Sequence, residues 1–145
     1  MLEIVDRHVS ADPSELLPAL TPDTEPFWTG LSEGRLQVQH CLSCERCRFP
    51  IVPVCPYCGD VTWQWRELDG TGRIFSWVRY QRGYLAEFAE LMPYVVACVE
   101  LNEGVRVFSL LANAPHAGPV TIGHPVRAQA ERWPNGRCVL RFVML

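Results

Sequence analysis

Two short motifs, Cys41-Leu-Ser-Cys44 and Cys55-Pro-Tyr-Cys58, constrain this chain more than any other feature. A Cys-x-x-Cys turn curls its backbone so that both sulfurs face one point. The ten residues between the motifs suffice for a hairpin that folds the second turn over the first. Four thiolates then surround one tetrahedral ion, a closed structural zinc set with no open position for chemistry. The flanks agree: Pro56 stiffens the second turn, and Gly59 follows Cys58, where an unusual backbone angle is expected.

Two other uses of these cysteines have to be weighed. Disulfides need an oxidising compartment, and Met1-Leu-Glu-Ile-Val-Asp-Arg-His8 has acids where a secretory signal needs an apolar core. An iron–sulfur cluster is suggested by the run Cys41-x2-Cys44-x2-Cys47. A bacterial ferredoxin run would place its fourth cysteine at position 51, which is Ile51. Cys47 therefore reads as a passenger on the hairpin, or as a spare thiol that can swap into the site. His40 adjoins a ligand and could replace one, but with four cysteines present it is expected to pack or point outward.

A length of 145 residues with 48% apolar content allows one ordinary domain, or two small units sharing a core. No apolar stretch approaches the roughly 20 residues of a membrane helix, so a cytoplasmic protein is expected. Charge is uneven. Residues 1–34 hold seven acids and one Arg, while residues 35–145 hold nine acids and twelve Arg. An acidic leader thus precedes a mildly cationic body. All thirteen basic residues are Arg, which excludes Schiff-base catalysis by lysine and suits bidentate contacts to phosphate or carboxylate.

Along the chain, residues 1–22 carry Pro13, Pro18 and Pro22 among scattered leucines and read as a loosely structured leader with one short helical turn. Pro26 opens a short helix after Asp23 or Thr24, and Gly34 stops it. Phe27, Trp28 and Leu31 share one side of that helix. Arg35–His40 alternates as a strand into the first turn. Phe49 to Val54 makes an apolar hairpin tip flanked by Arg46 and Arg48. From Leu68 onward the pattern is strands between Gly-marked turns: Arg73–Tyr80, Tyr94–Leu101, Val105–Ala112, Val126–Trp133 and Cys138–Met144. Five short strands of this kind predict a mainly β chain ending in a five-stranded OB-fold barrel. The expected division is an N-terminal helical segment over 1–36, a rubredoxin-like zinc ribbon over 37–66 and the barrel over 67–145.

The motifs Pro26-Phe-Trp28, Gly34-Arg-Leu36, the two cysteine pairs, Phe49-Pro50, Gly70-x-Gly72-x-Ile-Phe-Ser76, Pro93-Tyr94, Val99-Glu-Leu101 and Ile122-Gly123-x-x-Val126 occur in a specific order. In that order the chain resembles the zinc-ribbon/OB-fold acyl-CoA-associated proteins, also termed domain of unknown function thirty-five. It departs from them at Glu45, Ile51 and Val52, where Gly, Pro and Arg are usual. The resemblance implies a non-catalytic subunit that docks on a thiolase-like or lipid-transfer-type aldolase partner. Such complexes make or break carbon–carbon bonds on CoA thioesters, and the catalytic residues are the partner's. A docking surface is expected on the N-terminal segment and the hairpin tip. Arg46, Arg48, Arg79 and Arg82 are candidates for CoA phosphates on charge and loop position alone.

Two rivals come from other classes. Single-stranded nucleic acid could stack on Trp77, Tyr80 and Tyr84, but the body is weakly charged for a backbone binder. An autonomous Cys–His enzyme could use His40, His116 or His124 with Cys47 or Cys98, yet no recognised nucleophile motif surrounds these cysteines.

Overall fold

The computed structural model describes residues 1–8 and 12–145. Its first element is a strand, β1 (Glu3–Asp6), where the sequence suggested a loose leader. The reason is non-local. β1 runs parallel to a strand more than a hundred residues away, Pro125–Arg132, with Glu3 opposite Gln129 and Asp6 opposite Arg132. The leader's charges meet partners there: Gln129 donates to Glu3 at 3.0 Å, and Arg132 pairs with Asp6 at 3.2 Å. Residues 9–11 of the expected leader lie outside the described residues. A single 3-10 turn, Pro13–Leu16, follows, with the Asp12 carboxylate accepting from the Ser14 N–H at its start.

Helix α1 spans Glu25–Ser32, with Pro26 in its first turn and Thr24 at the cap position. Gly34 ends it at φ 76°, a left-handed angle that costs glycine little. Phe27 and Leu31 are 4% and 0% exposed, so the apolar side of α1 is already used within the chain. This corrects the expectation that these residues supply a free docking surface; among the leader's large apolar side chains, Met1, Val5, Leu16 and Leu20 stay exposed.

The ribbon sheet follows: β2 (Leu36–Cys41), β3 (Cys47–Arg48) and β4 (Trp63–Leu68), in the antiparallel order β3-β2-β4. The chain then crosses at Gly70 into β5 (Thr71–Tyr80), β6 (Tyr94–Leu101), β7 (Arg106–Leu110), β8 (Pro125–Arg132) and β9 (Cys138–Met144). Antiparallel ladders join β5 to β6, β6 to β7, β5 to β8 and β8 to β9, and a parallel bridge between Leu111 and Phe142 brings the chain after β7 against β9. The circuit β5-β6-β7-β9-β8-β5 is that of an OB barrel, here with β1 added outside β8. One apolar cluster runs through it all, from Ile74, Val99, Val126 and Phe142 in the barrel through Leu31 of α1 to Leu36 and Val38 of the ribbon. Among the described residues, no helix is long and apolar enough to cross a membrane.

Candidate metal centre

Each knuckle is built by the same backbone bonds. The Glu45 N–H donates to the Cys41 carbonyl at 3.1 Å, and the Gly59 N–H to the Cys55 carbonyl at 2.9 Å. The Cys41 N–H donates to the Arg46 carbonyl at 2.9 Å, and the Cys55 N–H to the Asp60 carbonyl at 2.8 Å. Both turns therefore close through a left-handed residue, Glu45 at φ 61° and Gly59 at φ 79°. Glutamate stands in the first turn although the geometry there favours glycine.

The outcome is a compact donor set. Cys41 Sγ lies 3.7 Å from Cys58 Sγ, and Cys44 Sγ lies 3.7 Å from Cys55 Sγ. All four sulfurs fall within 4.8 Å of one another. A tetrahedron with metal–sulfur bonds of about 2.3 Å has edges of about 3.8 Å, so the set fits one structural zinc ion. Its electrostatics point the same way. Desolvation works against the Cys55 thiolate, yet the N–H groups of Tyr57 and Cys58 reverse it and bring that thiol down to about 6. At Cys44 a bond from the Arg46 N–H favours the thiolate but is outweighed by desolvation and the neighbouring sulfurs, which push it up to about 11. Four like charges so close need a cation among them.

The other sulfurs stand apart. Cys47 turns into the shared core at 5% exposure, and burial pushes its thiol up. Cys98 and Cys138 are buried in barrel strands. His40 pairs with Cys47 and Gln64 in the ribbon ladders and lies outside the four-sulfur group.

The candidate arginines do not share one environment. Arg46 is exposed and lies over the Tyr57 ring at 4.9 Å. Arg48 is only 2% exposed; its Nε donates to Gln39 Oε1 at 3.1 Å and its Nη2 to the Val52 carbonyl at 3.3 Å. It braces the hairpin tip from inside. Arg79 donates to the Gly118 and Pro115 carbonyls, at 2.6 and 3.0 Å, and holds that loop on the barrel. Arg82 is exposed in the connection after β5.

A second polar cluster has no local signature in the sequence. Glu131 Oε1 accepts from Arg7 at 3.1 Å, from Arg141 at 3.2 Å and from the Trp133 indole at 2.7 Å. Its members come from the end of β1, from β8 and from β9, so only the fold unites them.

The fold and the four-sulfur site together define a zinc-ribbon/OB-fold protein. Residues 28–62 match a family described as the ChsH2 rubredoxin-like zinc ribbon domain, and residues 65–131 match the ChsH2 C-terminal OB-fold domain. The chain is 31% identical to a chain of a solved structure titled "Ltp2-ChsH2(DUF35) aldolase", with a TM-score of 0.76, over 88% of this chain and 98% of that one. It belongs to the DUF35 family. Among curated relatives, it is 38% identical over 75% of its length to a "Probable enoyl-CoA hydratase alpha subunit" of Thermomonospora curvata. It is 34% identical over 86% of its length to the 3-oxo-4,17-pregnadiene-20-carboxyl-CoA hydratase alpha subunit of Mycobacterium tuberculosis. The chain spans 33% and 39% of the lengths of these two relatives.

Proposed function

We propose that this chain is a non-catalytic, cytoplasmic subunit that docks on a thiolase-like or lipid-transfer-type aldolase partner. There it supports carbon–carbon bond cleavage or formation on CoA thioesters, as in steroid, fatty-acid or aromatic degradation. The observation that carries the reading is the match over nearly all of the DUF35 chain of an aldolase assembly. Zinc held by Cys41, Cys44, Cys55 and Cys58 serves structure, because a closed four-sulfur set leaves no position for substrate.

The hairpin tip, with exposed Val54, and the exposed Leu16 and Leu20 remain candidates for docking. Among the arginines, Arg46 and Arg82 are the exposed candidates for CoA phosphates, Arg79 is engaged with its loop, and Arg48 acts as a brace. The chain purified alone is expected to show neither thiolase nor aldolase turnover. Co-expression with a thiolase-like protein encoded beside it should give a co-purifying complex that turns over a CoA thioester. Robust turnover by the isolated chain, or no complex with any such neighbour, would defeat the reading.

A further inference from the structure

The barrel circuit is incomplete between β7 and β9. The Leu111–Phe142 bridge and the Ala112 N–H bond to the Phe142 carbonyl, 2.8 Å, join one end of this seam. Farther along, a side chain does the work: Ser109 Oγ donates to the Leu140 carbonyl at 2.5 Å. Among the described residues no ladder continues along Arg106–Leu110 on this side. The seam is therefore a groove. One lobe, of about 320 Å³, is lined by Phe88, Tyr94, Val96 and Trp133. A second, of about 250 Å³, runs toward Phe27, Trp28 and Phe49. Phe108, Ser109, Val139 and Arg141 line both lobes and form the waist.

The charge of the cluster that Arg141 joins behind that waist is unbalanced. Arg7 and Arg141 share the single carboxylate of Glu131, and all three donors use its Oε1. Arg141 is only 8% exposed, and the side chain of Arg7 is equally covered. One positive charge is thus left over beneath an apolar surface, where an uncompensated cation is costly. Phe108, 70% exposed at the groove, adds an apolar side chain with no cover of its own.

We propose that this groove binds a monocarboxylic acid with an apolar body. The carboxylate sits at Arg141 and the apolar body lies along Phe108, Val96 and Tyr94. A single negative charge balances the cluster, and the walls offer little to a polar or multiply charged ligand. The larger lobe has a volume at the lower end of small-molecule sites. A flat docking surface for a protein would not need its cation sunk below the rim. The proposal stands independently of the partner reading above.

Calorimetric titration of the purified full chain with decanoate tests it, with decylamine as a probe of the same body and opposite charge. One decanoate should bind per chain, and decylamine should not. Arg141→Gln should weaken decanoate by about tenfold or more, the loss of one charge-assisted hydrogen bond, while Arg141→Lys restores part of it. Phe108→Asp places a like charge at the waist from an exposed position, and should abolish binding with the thermal melt unchanged. Absence of saturable decanoate binding would overturn the proposal. So would equal binding of decylamine, or decanoate binding that survives Phe108→Asp. If decanoate fails to bind while Phe108→Asp abolishes co-purification with a thiolase-like protein, the groove is a protein contact instead.

Discussion

Glu45 and Gly59 occupy equivalent places in the two knuckles, at φ 61° and 79°. A Cβ at such an angle costs about 1–2 kcal/mol, part of which glycine gives back through its freer unfolded chain. Glu45→Gly is therefore expected to stabilise the metal-bound protein by about 0.5 kcal/mol, read as a higher melting temperature. A lower one would show that the Glu45 side chain contributes more than its backbone costs. The cysteines set a pH dependence with a definite sign. Metal binding requires four thiolates, whereas the metal-free set keeps at least the Cys44 proton, its thiol lying at about 11. Acid therefore favours the metal-free state, and acidification from pH 8 toward pH 5 should release zinc to a colorimetric chelator and unfold the ribbon. Cys55→Ser should do the same at neutral pH, and Cys47→Ser should leave metal content at one ion per chain. Iron with labile sulfide in fresh protein would contradict both.

At the scale of elements, the hairpin between the knuckles depends on one buried amide. Gln39 Oε1 accepts from Arg48 Nε at 3.1 Å and from the Val52 N–H at 2.9 Å, tying β2, β3 and the tip together. Gln39→Leu leaves the buried Arg48 Nε and the Val52 N–H without their acceptor, and is expected to cost about 2–3 kcal/mol in urea denaturation. A neutral effect would mean that Arg48 swings out to solvent. Gly72 makes the comparable case in the barrel. A Cβ there would stand 2.4 Å from the Glu100 carbonyl oxygen, so β5 lies against β6 at a distance only glycine permits. The sequence marks Gly72 as part of a motif, but its crowding comes from β6, a strand the motif does not contain.

For the whole molecule, α1 connects the two sheets, and Leu2, just ahead of β1, packs into the same joint. Leu31 is fully buried in the cluster that joins ribbon to barrel. Leu31→Ala is expected to cost about 3 kcal/mol, with ribbon and barrel still melting together in one transition. Separate transitions would mean that the cluster does not couple them. Deleting residues 1–34 removes β1, Leu2, Phe27 and Leu31 at once, and should leave a protein without ordered near-ultraviolet dichroism.

Local patterns carried much of this in the sequence alone. The knuckles are legible because a metal set needs four donors at short, fixed spacing, and the chain supplies them within eighteen residues. Strands Tyr94–Leu101 and Cys138–Met144 are legible because apolar and β-branched residues fill them between turn residues. What the tertiary structure alone decided depends on residues far apart in the chain. β1 forms only because β8 offers it an edge. Arg48 looks like a free surface cation until Gln39 and Val52 enclose it. Arg7, Glu131 and Arg141 become one cluster only when β1, β8 and β9 lie side by side, because burial and charge balance depend on neighbours in space and not on neighbours in sequence.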